Sequence, residues 1–163
     1  MDTARIYFAQ CVRATKNNAE AFYNLALAQY LNGKRQEAIS NFQEAVRIRP
    51  HYENARNNLG VLLLEAGDSR GATNVFAGLL RVNPTHENAL LGMGRALVKL
   101  GDETQAKGYL ELARSAEARL DLARLLEKMN RTNEAQLQFR EAERLHPGIS
   151  RQPQRWPGTP GRP

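Results

Sequence analysis

The stretch "AEAFYNLALAQYLNGKRQEAISNFQEAVRIRPHY", Ala19 to Tyr52, decides the fold, because the next stretch repeats its skeleton. From Glu53 to His86 the chain reads "ENARNNLGVLLLEAGDSRGATNVFAGLLRVNPTH". Laid under the first, it pairs Leu25 with Leu59, Ala26 with Gly60 and Gly33 with Gly67. It goes on to pair Ala38 with Ala72, Phe42 with Phe76 and Pro50 with Pro84, every pair 34 residues apart. A fixed period in the range of about 20–50 residues marks a solenoid of stacked supersecondary units.

The apolar period inside a unit is helical. Phe22, Leu25, Ala26 and Gln29 fall at i, i+3, i+4 and i+7, one stripe of a helix. "NGK" at 32–34 breaks that helix, with Gly33 free to take the left-handed conformation of a helix end. A second stripe follows in Ala38, Phe42, Ala45 and Ile48, and Pro50 keeps the next helix from running on. The unit is therefore an αα-hairpin. Ala26 and Ala38 are small where two helix axes approach, and Phe42 fills the volume beside them.

This pattern resembles the tetratricopeptide repeat. That repeat places a bulky residue fourth, Leu seventh, a small residue eighth and a large one eleventh. It continues with Ala twentieth, an aromatic twenty-fourth, Ala twenty-seventh and Pro thirty-second. Residues 19–52 depart only at Gln29, and residues 53–86 at Arg56 and Leu79. A third unit, 87–115, carries Leu90, Met93, Gly94, Leu97, Ala106, Leu110 and Ala113 but has 29 residues, so its second helix or its loop must be shorter. A fourth, 116–149, has Asn130 in place of the turn glycine, a substitution the left-handed conformation tolerates, and Arg119 at its fourth position. Ala4, Phe8 and Cys11 continue the register backwards, so residues 1–18 read as a half-repeat, a lone second helix packing on the first full unit. The resemblance implies an all-α fold, an α-solenoid of antiparallel helix pairs wound as a right-handed superhelix of about four and a half repeats.

Composition narrows the function classes. The formal charge of +6 is carried mostly by the ends: +2 over residues 1–18 and +3 over 150–163, which leaves +1 for the middle. A nucleic-acid reader gathers its charge on one folded face, so nucleic acid is not the expected partner. One cysteine excludes a disulfide framework, and no apolar run approaches a membrane span or a secretory signal. The expected location is cytoplasmic. His51, His86 and His146 fall at unit ends, too far apart for a compact metal site, and Cys11 takes a core position. No phosphate loop occurs, since the glycines have turn or packing duties. The expectation is a non-enzyme without a cofactor.

The resemblance also implies a site. In the family the first helix of each pair lines a concave groove that binds a protein or peptide ligand. Carried over by position, the lining includes Tyr23, Asn24, Leu27 and Tyr30 of the first unit and Asn54, Asn57, Asn58 and Val61 of the second. Arg95 and Lys99 follow in the third and read as isolated positive charges. Asn24 and Asn58 share the sixth position, and asparagine ladders there hold peptides in the family. A side-chain amide both donates to and accepts from a peptide backbone. Here the ladder stops, because Gly92 and Asp121 come next. The Lys and Asn residues with which related domains grip carboxylate tails are missing at the fifth and ninth positions, which argues against that chemistry.

The tail, "SRQPQRWPGTPGRP" from Ser150, is Pro/Gly-rich and basic, a composition expected to stay disordered. It holds a P-x-x-P-x-R pattern at Pro157, Pro160 and Arg162, and Trp156 is a candidate cover for the last helix. The reading is an adaptor that binds a peptide or helix of a partner. The alternatives are a scaffold that self-associates through uncapped ends and a regulatory arm of a larger enzyme or complex.

Overall fold

Several helices begin where a polar side chain takes up the N–H groups that a first turn leaves unpaired. The computed structural model describes residues 17–151, together with Ile6 and Gln10. Helix α1 (Ala19–Leu31) is capped by Asn18, whose Oδ1 accepts from Glu20 N–H and Ala21 N–H at 3.0 and 3.1 Å. Helix α2 spans Arg35–Ile48, α3 Glu53–Glu65 and α4 Ser69–Val82. Helix α5 (Glu87–Leu100) is capped by His86, α6 (Glu103–Leu112) by Asp102 and α7 (Ala116–Lys128) by Ser115. Helix α8 spans Thr132–Leu145, and a single 3-10 turn, Ile149–Arg151, follows. No strand occurs among the described residues.

Four tight turns share one device. Gly33, Gly67, Gly101 and Asn130 all have positive φ, and Asn130, at 59°, is the only such non-glycine residue described. Each turn closes with a backbone bond that reaches five residues back, as from Lys34 N–H to the Gln29 carbonyl at 2.9 Å and from Arg131 N–H to the Leu126 carbonyl at 2.9 Å. These Schellman-type closures satisfy carbonyls at the helix end. The expected place of Asn130 in the turn is thus observed.

The described residues form two compact units, divided between Asp68 and Ser69. In the first, α1 packs on α2 and α2 on α3. Ala26, Ala38, Phe42 and Ala45 have no exposed surface. Burying a phenylalanine stabilises by roughly 1.5–3 kcal/mol, so the core rests on large rings seated beside alanines. Gln29 departs from the apolar pattern without leaving the core: it is 9 % exposed, and its Oε1 accepts from Asn41 Nδ2 of α2 at 2.7 Å.

In the second unit α4 packs on α5, α5 on α6, α6 on α7 and α7 on α8. Close approach fixes two glycines on α5. A Cβ on Gly92 would stand 2.3 Å from the Phe76 ring, and one on Gly94 would stand 2.6 Å from Leu110. The short third unit is accommodated in its second helix: α6 has 10 residues against 14 in α2, α4 and α8. The carboxylate of Glu87 then holds the turn into α7, accepting from Arg114 N–H at 2.8 and 3.1 Å.

The half-repeat at residues 1–18, with Cys11, and the tail with Trp156 lie outside the described residues, apart from Ile6, Gln10, Asn17, Asn18, Ser150 and Arg151.

Candidate functional site

In the first unit α1 and α3 are joined by two side-chain bonds of the same sequence offset. Asn58 Nδ2 donates to the Tyr23 hydroxyl across 3.4 Å, and the Tyr30 hydroxyl donates to Glu65 Oε1 at 3.1 Å. Both pairs are 35 residues apart, one repeat plus one position. The two tyrosines stand two turns apart on α1, with Leu27 between them, and all three are half-buried. Tyr30 is held at its hydroxyl, so its ring cannot collapse into the core.

The Tyr23 ring is held on two further sides. Its centroid is 5.6 Å from Phe42 and 5.0 Å from Tyr52, both in tilted contact. Arg49 lies over the Tyr52 ring at 4.9 Å and reaches Glu20 at 3.3 Å. Burial pushes the Tyr52 hydroxyl above the usual tyrosine range, Tyr23 and Glu20 add to the shift, and Arg49 opposes it. These contacts keep an aromatic shelf in place beside the amides of α3.

The polar atoms of α3 are unevenly supplied. Asn57 Nδ2 approaches Asn58 Oδ1 across a long 3.5 Å, and Asn57 Oδ1 is out of solvent with no donor. Glu65 Oε2 has Arg35 Nε at 3.4 Å as an ion-pair partner but accepts no hydrogen bond. Buried polar groups are paired in the great majority of cases, so an orphan acceptor on this face stands out.

The expected site residues do not all share this face. Tyr23, Leu27, Tyr30, Asn57 and Asn58 are brought together, Asn24 is half-buried on α1, and Asn54 is exposed on the first turn of α3. Val61 is 1 % exposed and belongs to the core, so it offers no surface; its turn of α3 faces inward along with Leu62 and Leu64. Lys99 is exposed on α5. Arg95 is not an isolated charge. Its Nε donates to Asp121 Oδ2 on α7, both side chains are 7 % exposed, and Arg124 adds a second contact to the same carboxylate at 3.7 Å. The ladder of asparagines therefore ends for packing reasons: Gly92 makes room for Phe76, and Asp121 is the partner of Arg95.

Sequence reading missed three contributors, Arg35, Ile149 and Glu143. Arg35 had no motif, and its ion pair with Glu65 is what places it at the site. Ile149 closes the last helix pair: it is 4 % exposed and packs with Ala116, Leu120 and Ala142, with Phe139 against them. Glu143 fixes this segment by accepting from Gly148 N–H at 2.7 Å, from Ser150 N–H at 3.0 Å and from the Ser150 hydroxyl. Ile149 stands 33 residues after Ala116, as Tyr52 stands 33 after Ala19, so the repeat's last residue has the same duty at both places. Among the described residues no three His, Cys, Asp or Glu side chains gather as a metal site, and no helix is long and apolar enough to cross a membrane.

Helix pairs in a 34-residue register, with polar and aromatic side chains along their first helices, define a repeat protein of the protein-interaction class. Tetratricopeptide-repeat family models match residues 19–52 and 63–116. The chain belongs to the tetratricopeptide-repeat family, an all-α solenoid of helix pairs with about four repeats. Among solved structures, a crystal structure of MamA superposes with a TM-score of 0.83 at 17 % identity, covering 93 % of this chain and 91 % of that one. TTC0263, a thermophilic tetratricopeptide-repeat protein of Thermus thermophilus, gives 0.71 at 27 % identity over 91 % and 84 % of the two chains. YrrB, described as a tetratricopeptide-repeat protein with an unusual peptide-binding site, gives 0.72 at 22 % over 87 % and 76 %. None of the curated proteins matches the chain. The family makes this a protein–protein interaction module, an adaptor or scaffold.

Proposed function

We propose that the α1/α3 face of residues 17–68 binds a peptide or helical segment of a partner protein, and that the chain acts as a non-enzymatic adaptor through it. The observation that carries this reading is the pair of bonds Tyr23–Asn58 and Tyr30–Glu65. They hold aromatic and apolar surface half-exposed at a fixed spacing, so little ordering of the protein opposes binding. The peptide-binding site named for YrrB, a protein of the same fold, supports the choice of ligand. The same reading divides the chain into repeats at 19–52, 53–86, 87–115 and 116–149, after a half-repeat at 1–18 and before a basic tail. A cytoplasmic location, suggested by the sparing use of cysteine, belongs to the same proposal.

The test is a selection of displayed dodecapeptides on the full chain, repeated on Leu27→Glu, which places a charge between the two tyrosines. Peptides that bind the parent and lose at least roughly tenfold on the variant support the reading, since burying an unpaired carboxylate against an apolar contact is unfavourable. Equal binding by both would move the site elsewhere.

A second reading is self-association through α8. Leu137 and Leu145 are 63 % and 43 % exposed on one stripe of that helix. A mass that rises with concentration and returns to the monomer in Leu137→Glu would favour it; a constant monomer mass removes it.

A further inference from the structure

The large residue at the twenty-fourth place of a repeat is enclosed in three of the four units, where Phe42, Phe76 and Leu110 have no exposed surface. For Phe76 the cover is the first helix of the next unit, since a Cβ on Gly92 of α5 would stand 2.3 Å from its ring. Phe139 holds this place on α8. Among the described residues no further helix follows α8 except the 3-10 turn Ile149–Arg151, and Phe139 is half-buried. It packs against the cluster of Ala116, Leu120, Ala142 and Ile149 and keeps part of its surface in solvent. The array thus ends on an aromatic seat that the described chain fills on one side.

The residues around Phe139 say what kind of cover fits. On α2, which packs on the next first helix, the residue after the core alanine is Ile39, 4 % exposed, and the one a turn past Phe42 is Val46, half-buried. Both are apolar, as a packed helix requires. On α8 those two places hold Gln136, exposed, and Glu143, half-buried, and Arg140 beside Phe139 is exposed as well. A further helix laid there would bury an amide and two charges, which is unfavourable. A single large apolar side chain set inside that rim buries none of them. Glu143 also directs the chain: by accepting from Gly148 and Ser150 it turns the segment after α8 back onto the helix pair, where Ile149–Arg151 packs on α7 and α8. Trp156 follows five residues after Arg151. At about 3.3–3.6 Å per residue that is a reach of roughly 17 Å, or three helical turns, from a turn already lying beside Phe139.

We propose that Trp156 of the chain's own tail seats on Phe139 and ends the repeat array where a further unit would otherwise stack. An indole suits the seat, because its broad apolar body covers the open part of the ring while its one N–H donor meets the polar rim at Gln136. Pro153 and Pro157 flank Trp156, so the cover is not another helix, in keeping with a rim that opposes one. The inference is independent of the α1/α3 face. It also concerns a different side of α8 from the self-association reading, since Leu137 and Leu145 stand more than about 100° round the helix from Phe139.

Trp156 is the chain's single tryptophan, so the indole fluorescence of the full chain reports on it alone. Its emission should lie to the blue of that of a synthetic peptide of residues 150–163 and be quenched less by acrylamide, at every protein concentration. Trp156→Ala should move the amide signals of residues 136–143 and 149–151 and lower the melting temperature by roughly 2–4 °C, the shift that loss of one aromatic contact gives a chain of this size. Phe139→Leu should shift the emission toward that of the peptide; Leu110, fully buried at the same place, shows that the fold accepts leucine there. Emission equal to the peptide's overturns the proposal, as does an emission that Phe139→Leu leaves unchanged. A blue shift that disappears on dilution overturns it too, because Trp156 would then seat in a second copy of the chain. So do amide shifts in Trp156→Ala that fall outside α8 and the 3-10 turn.

Discussion

The first helices of the two compact units follow one register and have opposite fates. On α1 and α3, positions five, six, twelve and thirteen hold Tyr23, Asn58, Tyr30 and Glu65, joined by hydrogen bonds and left half-exposed. On α5 and α7, the sixth positions hold Gly92 and Asp121, one pressed by the Phe76 ring and the other paired with Arg95 beneath the surface. A repeat position is therefore only a place on a helix. Whether it faces a ligand or is taken up by packing depends on what the neighbouring helix puts against it. In the second unit both sixth positions are taken up by the protein's own packing.

The strongest way to break this contrast is to remove the carboxylate that the second unit has enclosed. Asp121→Ala leaves Arg95 buried without this partner and should cost about 3–5 kcal/mol in denaturant unfolding, whereas the joint replacement Asp121→Leu with Arg95→Met should recover most of it. A loss below about 1 kcal/mol would show the pair to be effectively solvated and the contrast with α1/α3 to be false. Next in size is the attempt to give α5 a side chain where the ladder stops. Gly92→Ala puts a methyl group against the Phe76 ring and should destabilise by about 1–3 kcal/mol. A neutral result would mean that the ring moves aside easily.

The first unit should respond more mildly. Tyr30→Phe removes the hydroxyl bond to Glu65 and should cost about 0.5–1.5 kcal/mol in thermal unfolding, with peptide affinity falling as the ring loses its tether. The smallest effect is alkaline. Burial holds the Tyr52 proton more tightly in the folded chain than in the unfolded one. The associated stability is fully present below the ordinary tyrosine value of about 10 and is lost as pH rises through the folded value. Tyr52→Phe should flatten that alkaline decline; an unchanged decline would assign it to other groups.

Much of this could be read from the residues. The period fixed the helix pairs, because Leu25, Ala26, Ala38 and Phe42 recur at one spacing and only a stacked hairpin uses them all. Asn130 was legible as a turn residue because few side chains enter the left-handed region. The candidate site was legible in part. Positional carry-over reached Tyr23, Tyr30, Asn57 and Asn58, but it could not tell an exposed place from a filled one, so Val61 and Arg95 were included with them. Burial of Val61 is a property of helix rotation, and pairing of Arg95 depends on a partner 26 residues away in a repeat of irregular length. Ile149 had no chemical motif, and its signal lay in the period itself: it ends its unit as Tyr52 ends the first.

The most direct test of the central claim, that the α1/α3 face is the ligand site, is to map amide chemical shifts in the full chain as a selected dodecapeptide is added. Perturbations concentrated in residues 20–31 and 53–65, with those of α8 unmoved, are the predicted result. Shifts confined to residues 132–145 of α8 would contradict it.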